Sequence, residues 1–208
     1  PRTEPIFLLG LNAFVRAGKL DDALFAFDDM KRLIDGRPSV VVYNTMIHGY
    51  VKCGEHDKGF KFYERMLRDR VKPDVFTFNI LLSSYCRDKK FDLALDLFRE
   101  MKARGCSPNV VSFNTLIRGF FRERKFEEGV MMAYEMIDKG NLPSLIACTT
   151  LIEGLRKLGR RKEAFGFTDR MLKTGIVPDS VTFNCVLGDL CDVGRTVEAN
   201  ELRSLASK

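Results

Sequence analysis

Five polar residues recur at a spacing of 35: Asn44, Asn79, Asn114, Thr149 and Asn184. A second polar set keeps the same spacing: Asp74, Asn109, Ser144 and Asp179. The chemistry open to both sets is hydrogen bonding. A carboxamide offers a donor and an acceptor side by side, while a hydroxyl is shorter and leaves more space. A wrong ligand that leaves such a group buried and unpaired loses about 1–3 kcal/mol, which is enough to discriminate between similar ligands. Asn and Thr are also mediocre helix formers, about 0.7 kcal/mol worse than Ala in a helix interior. Their recurrence in one helical slot therefore needs a reason other than folding.

For the second set two readings stand side by side. Asp74, Asn109, Ser144 and Asp179, with Ser39 before them, precede helical stretches and are good N-cap types. They also lie close enough to the next slot residue to share one ligand edge with it. Capping accounts for this set but not for the Asn that follows it, which sits beyond the cap position.

The elements that must position these residues follow from the same period. Each copy opens with apolar residues at i, i+3, i+4 and i+7: Tyr43, Met46, Ile47, Tyr50, then Phe78, Leu81, Leu82, Tyr85. Phe113, Leu116, Ile117, Phe120, then Cys148, Leu151, Ile152, Leu155, then Phe183, Val186, Leu187, Leu190 continue the series. This spacing predicts an amphipathic first helix. A second helix follows, with a small residue near its start (Ala23, Gly59, Ala94, Gly129, Ala164, Ala199) and Met near its end (Met30, Met66, Met101, Met136, Met171). Gly105, Gly140 and Gly175 fit a left-handed position after that helix, and the recurrent proline (Pro38, Pro73, Pro108, Pro143, Pro178) stops it. The Met ladder reads as gap-filling between stacked helices. The copies are 4–39, 40–74, 75–109, 110–144, 145–179 and an incomplete 180–208. One hairpin cannot bury its apolar face alone, so the expected fold is an all-α, right-handed superhelical solenoid of stacked antiparallel hairpins.

Composition narrows the function classes. The net charge of +6 fits nucleic acid or simple solubility equally well. The six cysteines include no CxxC pair, no zinc site is readable, and no run spans a membrane. No deaminase signature, acidic metal cluster or phosphate loop is present, so no enzyme, cofactor or small-molecule substrate is expected. Without an initiator Met or an Arg/Ser-rich leader, the chain reads as a piece of a longer protein, with protein partners possible outside it.

The stretches VVYNTMIHGYVKCG, VSFNTLIRGFFRERKFEEG and VTFNCVLGDLC resemble the first helix of the pentatricopeptide repeat, and the likeness covers nearly the whole chain. The tetratricopeptide repeat would place glycine where Ile47, Leu82, Ile117, Ile152 and Leu187 stand. Uniform 35-residue copies resemble the pure class of the family. The resemblance implies a binder of single-stranded RNA reading one base per repeat, at work in mitochondria or chloroplasts in RNA processing, stabilisation or splicing. It assigns the fifth and last residues of a repeat to base choice. Asn44 with Asp74 then reads uracil, Asn79 with Asn109 cytosine or uracil, Asn114 with Ser144 cytosine and Thr149 with Asp179 guanine. Asn184 reads a pyrimidine, which gives the core 5′-U-(C/U)-C-G-(C/U)-3′. The same resemblance makes Val41, Phe76, Val111, Ile146 and Val181 clamps between bases; partial burial between neighbouring helices fits them equally. Arg16, Lys52, Arg87, Arg122 and Lys157, at the ends of first helices, are either a phosphate rail or partners of the helix C-terminus. The alternative function is a protein-interaction scaffold on the same face.

Overall fold

The structure, a computed structural model, describes residues 4–33, 37–140, 145–173, 179–192 and 194–206. Among these residues all regular structure is helical. The helices come in pairs: α1 (Glu4–Arg16) and α2 (Leu20–Leu33), α3 (Val40–Lys52) and α4 (His56–Arg68), α5 (Val75–Arg87) and α6 (Phe91–Ala103). The series continues with α7 (Val110–Arg122) and α8 (Phe126–Asp138), α9 (Leu145–Lys157) and α10 (Arg161–Lys173), α11 (Ser180–Asp192) and α12 (Thr196–Ala206). They form two compact units, Pro1–Pro108 and Asn109–Lys208. In the first unit α1 packs on α2 and α3, and α3 packs on α4 and α5. In the second, α7, α9 and α11 stack in order, each against its own hairpin partner. Each unit is therefore an all-α stack of helical hairpins.

The apolar stripe expected from the sequence builds the core. Tyr43, Met46, Ile47 and Tyr50 of α3 are buried, as are Phe113, Leu116, Ile117 and Phe120 of α7. Tyr85 is half-buried and stacks on Phe60 with ring centroids 4.0 Å apart. The small residues early in the second helices and the Met residues near their ends are buried too, including Ala23, Ala94, Met66 and Met136. A polar network ties the hairpins of the first unit. The buried Tyr43 hydroxyl donates to Asp69, and Lys31 Nζ reaches the same carboxylate at 2.5 Å. Burial alone would raise the Asp69 carboxyl; the bonds from Lys31 and Tyr43 hold it below its usual value.

Two turn slots require positive φ. After the second helix Gly105 takes φ +77° and Gly140 +73°, as expected, but Arg70 takes +56° in the same slot; Gly175 lies outside the described residues. After the first helix Gly54 takes +82°, while Lys89 and Arg124 take +60° at the equivalent places. A left-handed conformation costs an L-residue roughly 1–2 kcal/mol, partly offset by the greater unfolded-state freedom of glycine. Arg124→Gly is therefore expected to stabilise the protein by about 0.5–1 kcal/mol, read as a higher urea midpoint at unchanged slope.

Candidate nucleic-acid interface

The pairing expected for Asn44 and Asp74 is a direct contact, although the two residues are 30 positions apart. Asn44 lies in the second turn of α3, and Asp74 caps α5. Asn44 Nδ2 donates to Asp74 Oδ1 at 3.1 Å. The same carboxylate oxygen accepts from the Thr77 amide at 2.8 Å. Thr77 completes the ring: its hydroxyl accepts from the Asp74 amide at 3.1 Å and donates to Asn44 Oδ1 at 2.7 Å. The capping reading of Asp74 therefore holds, and the same carboxylate oxygen also bonds Asn44, the slot residue of the preceding copy. A capping box fixes the carboxylate, and the carboxylate fixes the amide. Burial alone would raise the Asp74 carboxyl, but the Thr77 amide and the Asn44 carboxamide bring it below its usual value.

Asn44 is only 4% exposed, deeper than a freely offered amide would be. One Nδ2 hydrogen and one Oδ1 lone pair remain beyond the ring of bonds. Sequence reasoning misses Thr77. Its signal is nonetheless present, since Asp74 and Thr77 stand three apart, as Asn109 and Ser112 do.

Asn109 caps α7 with the same geometry, its Oδ1 accepting from the Ser112 amide at 3.1 Å. Asn79 is half-buried in α5 of the first unit, whereas Asn109 belongs to the second. Asn114 is half-buried in α7; its Oδ1 is buried without a hydrogen-bond partner among the described residues. Thr149 is half-buried in α9, and Asp179 and Asn184 are exposed. Ser144 lies outside the described residues, as does the side chain of Ile146. Ser39 precedes α3 in extended conformation but makes no side-chain cap bond.

The apolar companions of the amide slot are exposed. Val41 is 51% accessible, Phe76 57%, Val111 55% and Val181 71%. Such exposure disfavours burial between neighbouring helices as their role. Arg16, Lys52, Arg87, Arg122 and Lys157 are each the last residue of their helix and exposed. They are not equivalent, because Lys157 pairs with Glu153 at 2.7 Å and Arg87 reaches the Val51 carbonyl at 3.4 Å.

The sequence pattern of the PPR repeat family matches residues 38–87, 73–122, 108–157 and 143–192, and a PPR repeat matches 11–33. The chain belongs to the PPR repeat family. A pentatricopeptide repeat-containing protein of Arabidopsis thaliana is 56% identical over 71 residues, covering 34% of this chain and 14% of that protein. The crystal structure of maize PPR10 is similar over 95% of this chain and 29% of that one, at 27% identity and a TM-score of 0.74. The same maize protein in complex with an 18-nt psaJ RNA element is similar at a TM-score of 0.65 and 26% identity, over 98% of this chain and 30% of that one. The PPR domain of Arabidopsis thaliana protein-only RNase P 1, in complex with tRNA, matches 88% of this chain and 96% of that one. At 18% identity and a TM-score of 0.74 it supports the fold alone. The chain thus spans under a third of the maize protein and a smaller share of the Arabidopsis relative.

Proposed function

We propose that this PPR chain binds single-stranded RNA sequence-selectively, one base per repeat, along 5′-U-(C/U)-C-G-(C/U)-3′. The observation that carries this is the 3.1 Å bond between Asn44 and Asp74. The two residues that the family resemblance couples for base choice share one hydrogen-bonded unit. Each read base sits beside such a pair, wedged by the exposed apolar residue one turn earlier in the slot's helix. Phe76 adds a stacking surface, and base–aromatic stacking contributes about 1–3 kcal/mol. Exposed cations at the ends of α1, α3, α5, α7 and α9 attract the backbone through counterion release. The chain acts by occupancy, shielding or remodelling an organellar transcript, and its own residues carry no catalytic step. Maize PPR10 in complex with RNA supports the partner class.

One substitution tests the reading. Thr149→Asn turns the Thr149/Asp179 pair into the type found at Asn44/Asp74. Titrations with oligonucleotides varied at that single position should show guanine preference replaced by uracil preference, by about tenfold. An unchanged base order would defeat the proposal. A protein-interaction scaffold would show no base order in either variant.

A further inference from the structure

The ring around Asn44 contains a residue from the neighbouring repeat. Thr77, the third residue of α5, donates its hydroxyl to Asn44 Oδ1 at 2.7 Å while Asp74 takes the Nδ2 hydrogen. Asp74 Oδ1 can only accept, so it fixes the Nδ2 end of the carboxamide; the Thr77 hydroxyl, which also lies 2.9 Å from that carboxylate oxygen, steadies the Oδ1 end when it turns its one hydrogen there. Thirty-three residues separate Asn44 from Thr77, and the same interval separates Asn114 from Ala147. Ala147 is the third residue of α9, is 2% exposed and has no hydroxyl. Asn114 Oδ1, correspondingly, is the buried acceptor without a partner among the described residues. Both residues lie in the second unit, where α7 and α9 pack together.

We propose that the third residue of each first helix is a positioning residue for the base-reading amide of the preceding repeat, and that Ala147 leaves Asn114 the adaptable reader of this chain. The inference rests on the base-reading proposal above and extends it. A hydroxyl at this place, turned toward the carbonyl, favours one orientation of the amide, so a base demanding the opposite one must turn the hydroxyl as well as the amide. With Ala147 no hydroxyl holds the buried carbonyl, so the carboxamide is free to turn and offer it to a donor on the bound base. Cytosine supplies one from its exocyclic amine and uracil one from its ring N–H. The Asn114 position therefore accepts both pyrimidines more evenly than its pairing with Ser144 alone implies. In sequence a hydroxyl residue recurs at this place, as Thr77, Ser112 and Thr182.

The test is Ala147→Ser, which adds one hydroxyl, beside Ala147→Cys, which adds similar bulk but only a weak donor. Affinities are measured for oligonucleotides carrying each of the four bases opposite Asn114, and separately opposite Asn44. Ala147→Ser should raise the ratio between best and second-best base opposite Asn114 about three- to tenfold. Ala147→Cys should leave it near the parent value, and neither should alter the ratio opposite Asn44. If both variants act alike, or if the ratio opposite Asn114 stays put while Asn44 still discriminates, the positioning role is wrong. If no position of the parent protein discriminates, the base-reading proposal itself has failed, and this inference with it. Should Ala147→Ser not fold, Thr77→Val carries the test. A flattened ratio opposite Asn44, with the ratio opposite Asn114 retained, supports the role, and an unchanged one overturns it.

Discussion

Asp74→Ala is expected to cost the protein twice, in stability and in uracil selectivity. The N-cap of α5 loses its acceptor for the Thr77 amide, which typically costs about 1 kcal/mol. Asn44, almost fully buried, loses the partner of its Nδ2, and an unsatisfied buried donor adds about 1–3 kcal/mol. The sum, roughly 2–4 kcal/mol, is large for one half-buried residue. Asp74→Ser separates the two roles. Serine caps about as well as aspartate, so the cap's share of the loss should disappear and any remaining loss should be no more than that of the Asn44 donor, about 1–3 kcal/mol. The pair becomes Asn with Ser, the combination at Asn114 and Ser144, so the preferred base should move from uracil to cytosine. Chemical denaturation and single-position titrations read the two effects independently. If Asp74→Ser keeps both stability and uracil preference, Asp74 is a cap and nothing more.

The second large effect lies where α7, α8 and α9 pack together in the second unit. Phe121 is caught between two glycines: a Cβ at Gly154 would come within 2.1 Å of the ring and one at Gly129 within 2.4 Å. The ring cannot retreat from one without meeting the other. Gly154→Ala should therefore destabilise the unit by about 1–3 kcal/mol, although alanine is the better helix former by about 1 kcal/mol. A Phe121→Val background installs the residue type that Val51 supplies at the equivalent place, so the clash is gone and the helix preference remains. There Gly154→Ala should be neutral or stabilising. The double-mutant cycle in urea should give a coupling above about 1 kcal/mol. Additive effects would mean that the ring has somewhere else to go.

These two cases mark what is legible in the sequence. Repetition makes local patterns conspicuous, so the stripe from Tyr43 to Tyr50, the small residues at Ala23 and Ala94, and the recurrent Met residues stand out and are buried as expected. The polar slot at Asn44 is equally visible because nothing in helix formation calls for it. What stays hidden depends on stacking. The Thr77 hydroxyl touches Asn44 only because α3 and α5 lie side by side, and its own repeat gives no hint of that partner. The depth of Asn44 is hidden for the same reason: the polar atoms that make burial tolerable come from the next repeat. Phe121 breaks the pattern at its position, where Val51 and Cys86 precede it, and two glycines far apart in sequence absorb the extra bulk. Lys89 and Arg124 occupy turns that glycine fills elsewhere, so composition alone conceals their positive φ.

The measurement that bears most directly on the central claim is a binding titration of the unmodified chain with two single-stranded RNAs of equal length. One carries 5′-UCCGC-3′ and the other is poly(A). The base-reading account predicts tighter binding to the first by at least about tenfold, because several readers are left unpaired on adenine. Equal affinity for the two would contradict it.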